Sequence, residues 1–528
     1  MASIVMLLYS VAIFVVSKLI YRLFLYLRYL SPLRHLPGPS MGNPILGRST
    51  QIADPKVNKE WVRKYGACFR VVGILGTEAI VCMTPEALEQ ILVRDWMTYP
   101  RPVFLRNSSG LAAGRGLFTT IGNEHKRLRT LLDPAFSRLN LNSLEAVSNT
   151  SIERLVEIFR TRLDSNPAGG EVLPLYDWVS KLSLDIICEG LFGHTVGSLD
   201  NPNHPLFIAF QDLRKIETEQ NFWWFMLTTT TPGAPHFLMS KFVNRYRHWL
   251  SCILPSSPVE AYSNAMWQVK KVSTSIFQTK RSESAGLGID EEKKDILGLL
   301  IRDGTVDGDI LEHIRAFISA GNQTLSTTLS SVRWINMCIW GFNRWHQTLY
   351  LLAKDSESQR RLREELHPIF ATSTTPVFRD LNELLWLNCV ISESLRLNPA
   401  VPVLARTATE TARVDGVLIP KGTLIIIPLE AINTWTDVWG PDADEFRPSR
   451  WLDLPRNFSP AFSSVPFSTG HSSCIGRTLA TMQLKMIIAS LMFNFEFSLP
   501  SPDYIPDASI LLLRQPQDHM PLHVRRVM

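Results

Sequence analysis

The seven cysteines of this 528-residue chain stand far apart, at 68, 82, 188, 252, 338, 389 and 474. Their odd number and irregular spacing exclude a disulfide framework and point to a reducing compartment. Charge is also sparse. The net value is +5 and no basic run occurs, so no nucleic-acid partner is expected. A glycine-rich dinucleotide or flavin fingerprint is missing, so any reductant must come from another protein. His471 and Cys474 have no second ligand pair at zinc spacing nearby. Polar residues, finally, are scarce from Ser3 to Leu30.

That N-terminal run is long enough for a helix across a bilayer, which takes roughly twenty residues. Lys18 and Arg22 interrupt it, but long basic side chains snorkel to an interface, where Tyr21, Tyr26 and Tyr29 also belong. No basic stretch precedes the run and no small-residue cleavage site follows, which disfavours a signal peptide. Lys18, Arg22, Arg28 and Arg34 all lie on its C-terminal side, and the positive-inside rule then keeps the bulk of the chain cytoplasmic. The expected organisation is a transmembrane anchor over 3–30, a proline-rich hinge over 31–47 and a globular part over 48–528.

The chemistry concentrates in Phe467-Ser-Thr-Gly470-His-Ser-Ser-Cys474-Ile-Gly476. Glycines allow a tight turn and close approach to a flat group. The apolar sequence that follows, from Thr478, predicts a helix, and a helix start stabilises a thiolate. A lone cysteine is commonly a small buried hydrophobe. A thiolate in this setting is also a ligand for haem iron.

The string Phe-x-x-Gly-x-x-x-Cys-x-Gly resembles the haem-binding loop of cytochromes P450, with Cys474 at the iron-ligand position and Phe467, Gly470 and Gly476 around the cofactor. Further motifs follow the family order. Leu36-Pro-Gly-Pro resembles the microsomal hinge. Gly122-Asn-Glu-His125-Lys-Arg-Leu-Arg129 resembles the helix that gives a Trp and an Arg to a haem propionate; Arg129 matches, and His125 stands where Trp is usual. Ala320-Gly321-Asn-Gln323-Thr324 resembles the oxygen-binding groove, where the threonine helps to hold oxygen and its proton supply. Thr324 fits that role. Gln323 replaces the usual acid and cannot ionise, which implies an altered proton path carried by water. Glu393-Ser-Leu-Arg396 and Phe446-Arg-Pro-Ser-Arg450-Trp451 resemble the Glu-x-x-Arg motif and its partner. On that resemblance Glu393, Arg396 and Arg450 form a structural network. Arg406 matches a second propionate partner. Ser472 stands where the family carries a basic residue, and His471 is the nearest substitute.

Two capping-box signatures, Asp309 to Glu312 and Asp380 to Glu383, mark helix starts. The first opens a helix with apolar or small residues at Ile314, Phe317, Ile318, Gly321, Leu325 and Leu329. Cytochromes P450 have nothing like the stretch Val332 to Gln347 that comes next. Deleting it joins Ser331 to Thr348 in a continuous family-like run. A Val codon begins GT and a Gln codon can end AG, so residues 332–347 are expected to be a retained intron. As helix they would add about 24 Å.

The resemblance implies a mainly α fold with a small β region, the cytochrome P450 fold, behind one transmembrane helix. It implies a haem-thiolate monooxygenase with haem b. Electrons would come from NADPH through NADPH–cytochrome P450 reductase. The substrate would be an apolar small molecule, such as a terpenoid of fungal secondary metabolism, reached through membrane lipid. The setting would be the endoplasmic reticulum membrane with the catalytic domain cytoplasmic. The alternatives are a P450-fold isomerase or dehydratase, and a haem-binding relic disabled by 332–347.

Overall fold

A computed structural model of the chain describes residues 2–52, 55–164, 170–216, 221, 224, 228–231, 233–238, 240–253, 258–287, 295–330, 348–505, 508–510, 514–516 and 518–527. The stretch 332–347 lies outside the described residues. The principal elements, in chain order, are α1 (Ala2–Ile20), α2 (Pro55–Tyr65), β1 (Cys68–Val72), β2 (Glu78–Cys82), α3 (Gly122–Leu132), α4 (Arg138–Leu163), β3 (Glu171–Pro174), α5 (Leu175–Phe192), α6 (Pro205–Ile216), α7 (Val259–Leu287), α8 (Asp307–Ser330), α9 (Thr348–Lys354), α10 (Leu385–Leu397), β4 (Leu404–Thr407), β5 (Leu424–Ile427), α11 (Arg477–Asn494), β6 (Phe495–Ser498) and β7 (Pro521–Arg526). The fold is mainly α with small sheets, as expected.

Two compact units emerge. One comprises Met1–Pro102, Pro402–Val438 and Ser459–Ser473; the other comprises Val103–Val401, Trp439–Phe458 and Cys474–Met528. The first is built on a four-stranded sheet in the order β1-β2-β5-β4. β1 and β2 form the antiparallel hairpin that their β-branched runs predict, with Phe69 opposite Val81. β5 then joins β2 in parallel, Ile80 opposite Ile425, and β4 closes the sheet antiparallel to β5. Phe69, Val71, Ile80, Val81, Ile425 and Ile427 are fully buried.

The N-terminal segment departs from expectation. Among the described residues no helix is long and apolar enough to cross a membrane. The α-helix stops at Ile20, and Tyr21–Leu30 continues as a π-helix. The second half of the expected span is docked on the sheet unit. Arg22 Nε donates to Gly76 O at 3.1 Å, an Arg70 guanidinium nitrogen donates to Leu27 O at 3.2 Å, and Leu27 is buried. The proline-rich stretch is docked too: Leu33 is buried and Arg70 N donates to Pro37 O at 2.9 Å.

The helical unit has α5 and α11 at its heart. α11 buries residues all round, among them Leu479, Met482, Leu484, Ile487, Ile488 and Leu491, as a helix enclosed by others must. α4 packs on α5 and α11, and α8 packs on α5 and α7. A small antiparallel sheet, β3-β7-β6, belongs to the same unit. Both capping boxes are misplaced. α8 starts at Asp307, and Glu312 instead binds Arg115 N at 2.9 Å and Arg315 at 2.7 Å. Asp380 and Glu383 lie within a short helix, Phe378–Glu383, and α10 follows as a separate helix.

Candidate active site

Within the helical unit, α10 places Glu393 and Arg396 one turn apart. Arg396 grips the carboxylate with two nitrogens, Nε to Oε2 at 2.7 Å and Nη2 to Oε1 at 2.8 Å. Arg450 Nε donates to the same Oε1 at 2.8 Å. Trp451 Nε1 donates to Oε2 at 3.0 Å and Arg447 N to Oε1 at 3.0 Å. The remaining guanidinium donors reach backbone oxygens, Arg396 to Ala443 O at 2.7 Å and Arg450 to Asp442 O at 2.9 Å. Trp439 lies 4.8 Å from the Arg396 guanidinium carbon. The three charged side chains are 0–3 % exposed, so this is a buried lock, unlike an exposed pair.

Cys474 precedes α11 in the same unit. It is accessible to solvent yet recessed, with protein crowded around its sulfur. Burial pushes the Cys474 thiol up, while the Gly476 amide, Arg129 and Arg477 pull it down. The helix-start stabilisation expected from sequence is present, but burial outweighs it. The free thiol therefore keeps its proton, and metal ligation requires losing it. Gly476 caps α11, and a Cβ there would lie 4.0 Å from Cys474 Sγ, in ordinary contact. Arg129 sits on α3, where Asp133 Oδ1 meets its Nε at 2.7 Å. His125, one turn earlier, is buried.

The groove residues lie on α8. Thr324 Oγ1 donates back to Ala320 O at 2.6 Å, the bond expected of a threonine that bends a helix. Gly321 has a packing reason. A Cβ there would come within 2.7 Å of Ile187 Cδ1 on α5. The Ser183 hydroxyl of α5 donates to Gly321 O and Asn322 O at 3.4 Å. Gln323 and Thr324 are both half-buried.

The sheet unit carries the remaining candidates. Arg406, on β4, is buried, and its described bond goes to its own neighbour, Ala405 O, at 2.9 Å. Burial pulls its guanidinium below the ordinary value. Arg101 stands beside it, pulled down by burial and then by the Arg406 charge. A buried guanidinium such as that of Arg406 calls for an anion or backbone oxygens around it. Arg101 was not singled out from sequence; its only sign there is one arginine between two prolines, Pro100 and Pro102. Gly470 has φ 72° and a Cβ there would sit 2.0 Å from Leu92 O, so the loop's fit against its own unit demands glycine. Phe467 is half-buried just before Ser468, which itself has φ 60°. His471 stacks on Trp96, ring centres 4.9 Å apart, an arrangement that leaves its ring nitrogens in the plane of the stack.

These residues fit an anionic, sulfur-ligated cofactor. The helical unit offers a recessed thiol within the field of two arginines. The sheet unit, taken by itself, offers the buried Arg406, which meets no carboxylate among the described residues, with the charge of half-buried Arg101 near it. Such a set of parts defines a haem-thiolate protein. The cytochrome P450 family profile matches residues 36–522, and the chain belongs to that family. It is a cytochrome P450 monooxygenase. It is 27% identical over 507 residues to the cytochrome P450 monooxygenase sphH of Aspergillus fumigatus, covering 92% of this chain and 87% of that one. It is 28% identical over 478 residues to the monooxygenase claQ of Ampulloclitocybe clavipes, covering 84% and 82%. It is 27% identical over 518 residues to a ganoderic acid synthetase of Ganoderma lucidum, covering 89% of each.

Proposed function

We propose that the chain oxidises an apolar small molecule of fungal secondary metabolism, of terpenoid type, at the endoplasmic reticulum membrane, with NADPH electrons delivered by a separate reductase. Haem b, when bound, supplies the activation of oxygen. Cys474 would hold its iron through sulfur, and Arg101, Arg406, Arg129 and His125 would answer its propionates. Phe467, Gly470 and Gly476 shape the loop on the thiolate side. Thr324 would hold a proton on its hydroxyl for the oxygen chemistry the haem supplies, and Gln323 would orient water beside it. The substrate class rests on the fungal relatives, one of them named for ganoderic acid. The membrane setting rests on the apolar sequence of α1.

The observation that carries the reading is the recessed Cys474 thiol beside Arg129 and Arg477, in a chain matched to the family over nearly its whole length. The test is the reduced-CO difference spectrum of the purified protein. The thiolate signature is expected in the wild type and absent in Cys474→Ser. An unchanged spectrum in that variant would overturn the assignment. Turnover that needs no NADPH would favour an isomerase or dehydratase instead.

A further inference from the structure

The β1–β2 hairpin brings together two cysteines that stand well apart in the sequence. Cys68 opens β1, Cys82 ends β2, and the register sets them directly opposite each other. The ladder on either side fixes the kind of pair they make. Met83 N donates to Ala67 O at 3.0 Å and, at the turn end, Gly73 N donates to Thr77 O at 2.7 Å. Bonded and non-bonded pairs alternate along an antiparallel ladder. Cys68 and Cys82 therefore fall on a non-bonded pair, where Cα atoms lie about 4.5 Å apart and side chains are closest. A disulfide spans Cα separations of about 4.4–6.8 Å, so this pair is within reach of one. Both thiols are free.

The two sulfurs differ in their surroundings, as an attacking and a resolving thiol must. Cys68 is half-buried on the edge strand of the sheet, two residues after Gly66, where a Cβ would meet open space. Cys82 is 3% exposed. A hydrogen bond from the Cys82 thiol pulls the Cys68 thiol below its ordinary value, against burial and the Asp415 charge. The same bond, then burial, then the charges of Cys68 and Asp415 push the Cys82 thiol well up. Negative charge thus collects on the reachable sulfur and the proton on the shielded one. Packing alone accounts for Cys82, a small buried side chain. It does not ask for a second thiol at the one position of β1 that faces it.

We propose that Cys68 and Cys82 form a reversible dithiol–disulfide couple, oxidised by a small-molecule disulfide of the glutathione class, that clamps β1 to β2. The Cys68 thiolate attacks one sulfur of glutathione disulfide. That S–S bond breaks, and the first glutathione leaves and takes a proton from solvent. Cys82 then attacks the Cys68 sulfur, its proton passing to the second glutathione as it leaves. Two electrons move from the pair to glutathione disulfide, and two glutathione thiols are released. In a reducing compartment such a couple is a sensor and not a permanent staple. The clamp acts on the hairpin that seats the N-terminal segment. Arg70, two residues along β1, pairs with Glu78 at 2.7 Å and donates to Leu27 O at 3.2 Å. The inference is independent of the oxygen chemistry proposed above.

For the test, full-length, haem-loaded protein is equilibrated with mixtures of reduced and oxidised glutathione. It is then quenched in acid, capped with N-ethylmaleimide and mapped by mass spectrometry. A linked Cys68–Cys82 peptide is expected, growing with the oxidised share and erased by dithiothreitol. Raising both glutathione forms about tenfold at a fixed ratio is expected to lower the linked-to-free ratio about tenfold, because two thiols leave for each disulfide consumed. The adduct on exposed Cys252 is expected to stay unchanged under the same shift. Cys82→Ser is expected to stop at a glutathione adduct on Cys68, and Cys68→Ser to leave Cys82 reduced. The linked form is expected to unfold at higher denaturant than the dithiol form, since a cross-link restrains the unfolded hairpin. No linked peptide under conditions that load glutathione onto Cys252 overturns the proposal, as does an adduct on Cys82 in Cys68→Ser or a linkage between two chains. Equal unfolding midpoints overturn the clamp. The wild-type map decides the matter even where a serine variant does not fold.

Discussion

Glu393 accepts from three side chains and one backbone amide while fully shielded from water. Taking the carboxylate charge away leaves Arg396 and Arg450 buried as cations facing a neutral group. Such a loss costs about 3–5 kcal/mol, against a total stability of about 5–15 kcal/mol for a domain. Glu393→Gln is therefore expected to lower the unfolding midpoint sharply in a denaturant titration. Asp133→Asn, which removes a half-exposed partner of Arg129, is expected to cost under about 1 kcal/mol. Equal losses in the two variants would contradict the account. Legibility at this scale followed locality. Glu393 and Arg396 sit in one short motif and Arg450 in another, so all three could be picked out beforehand. The carbonyls of Asp442 and Ala443 that complete the lock carry no side-chain signal. Arg101 was missed for a similar reason: only the pairing of its segment with Arg406, far along the chain, gives it meaning.

At the scale of elements, α8 and α9 share a regularity. Thr324 Oγ1 donates to Ala320 O at 2.6 Å and Thr328 Oγ1 to Thr324 O at 2.9 Å, each four residues back. Thr348 Oγ1 donates to Thr328 O at 3.3 Å, though 20 residues separate them. Removing residues 332–347 puts Thr348 four places after Thr328, and the ladder of back-bonds becomes continuous. α9 then extends α8 as one helix. A chain without 332–347 is expected to load haem and to melt at a higher temperature than the full chain, because α8 and α9 would then be one continuous helix and helix formation is cooperative. Transcripts are expected to lack these codons. A deletion variant that melts lower, with transcripts retaining the codons, would show that the segment belongs. Helical periodicity made α8 visible in advance. Its start was misjudged because Glu312 has a stronger use, holding Arg115 N and Arg315, than capping its own helix.

At the scale of the whole molecule, the mainly α class was visible because amphipathic periods repeat within single segments. The four-stranded sheet was not, since β2 pairs in parallel with β5 across some of the longest separations in the chain, and such pairing leaves no local trace. The N-terminus shows the same divide. Apolar content alone merged residues 3–30 into one span, yet Tyr21–Leu30 belongs to the sheet unit through Leu27 and Arg22. α1 differs: Met6, Ile13, Phe14, Val16 and Ile20 are each more than half exposed. Exposed apolar side chains in that number mark a site for lipid or protein. If the proposed membrane setting holds, a chain beginning after Ile20 is expected to move from the membrane pellet to the supernatant while keeping its reduced-CO thiolate signature. Extending the cut through Leu30 is expected to lower the melting temperature as well, because it strips Leu27 from the sheet and leaves Gly76 O without its Arg22 donor. If the shorter truncation still pellets after an alkaline wash, α1 is not what holds the protein to the membrane, and other apolar surface must be sought on the folded units.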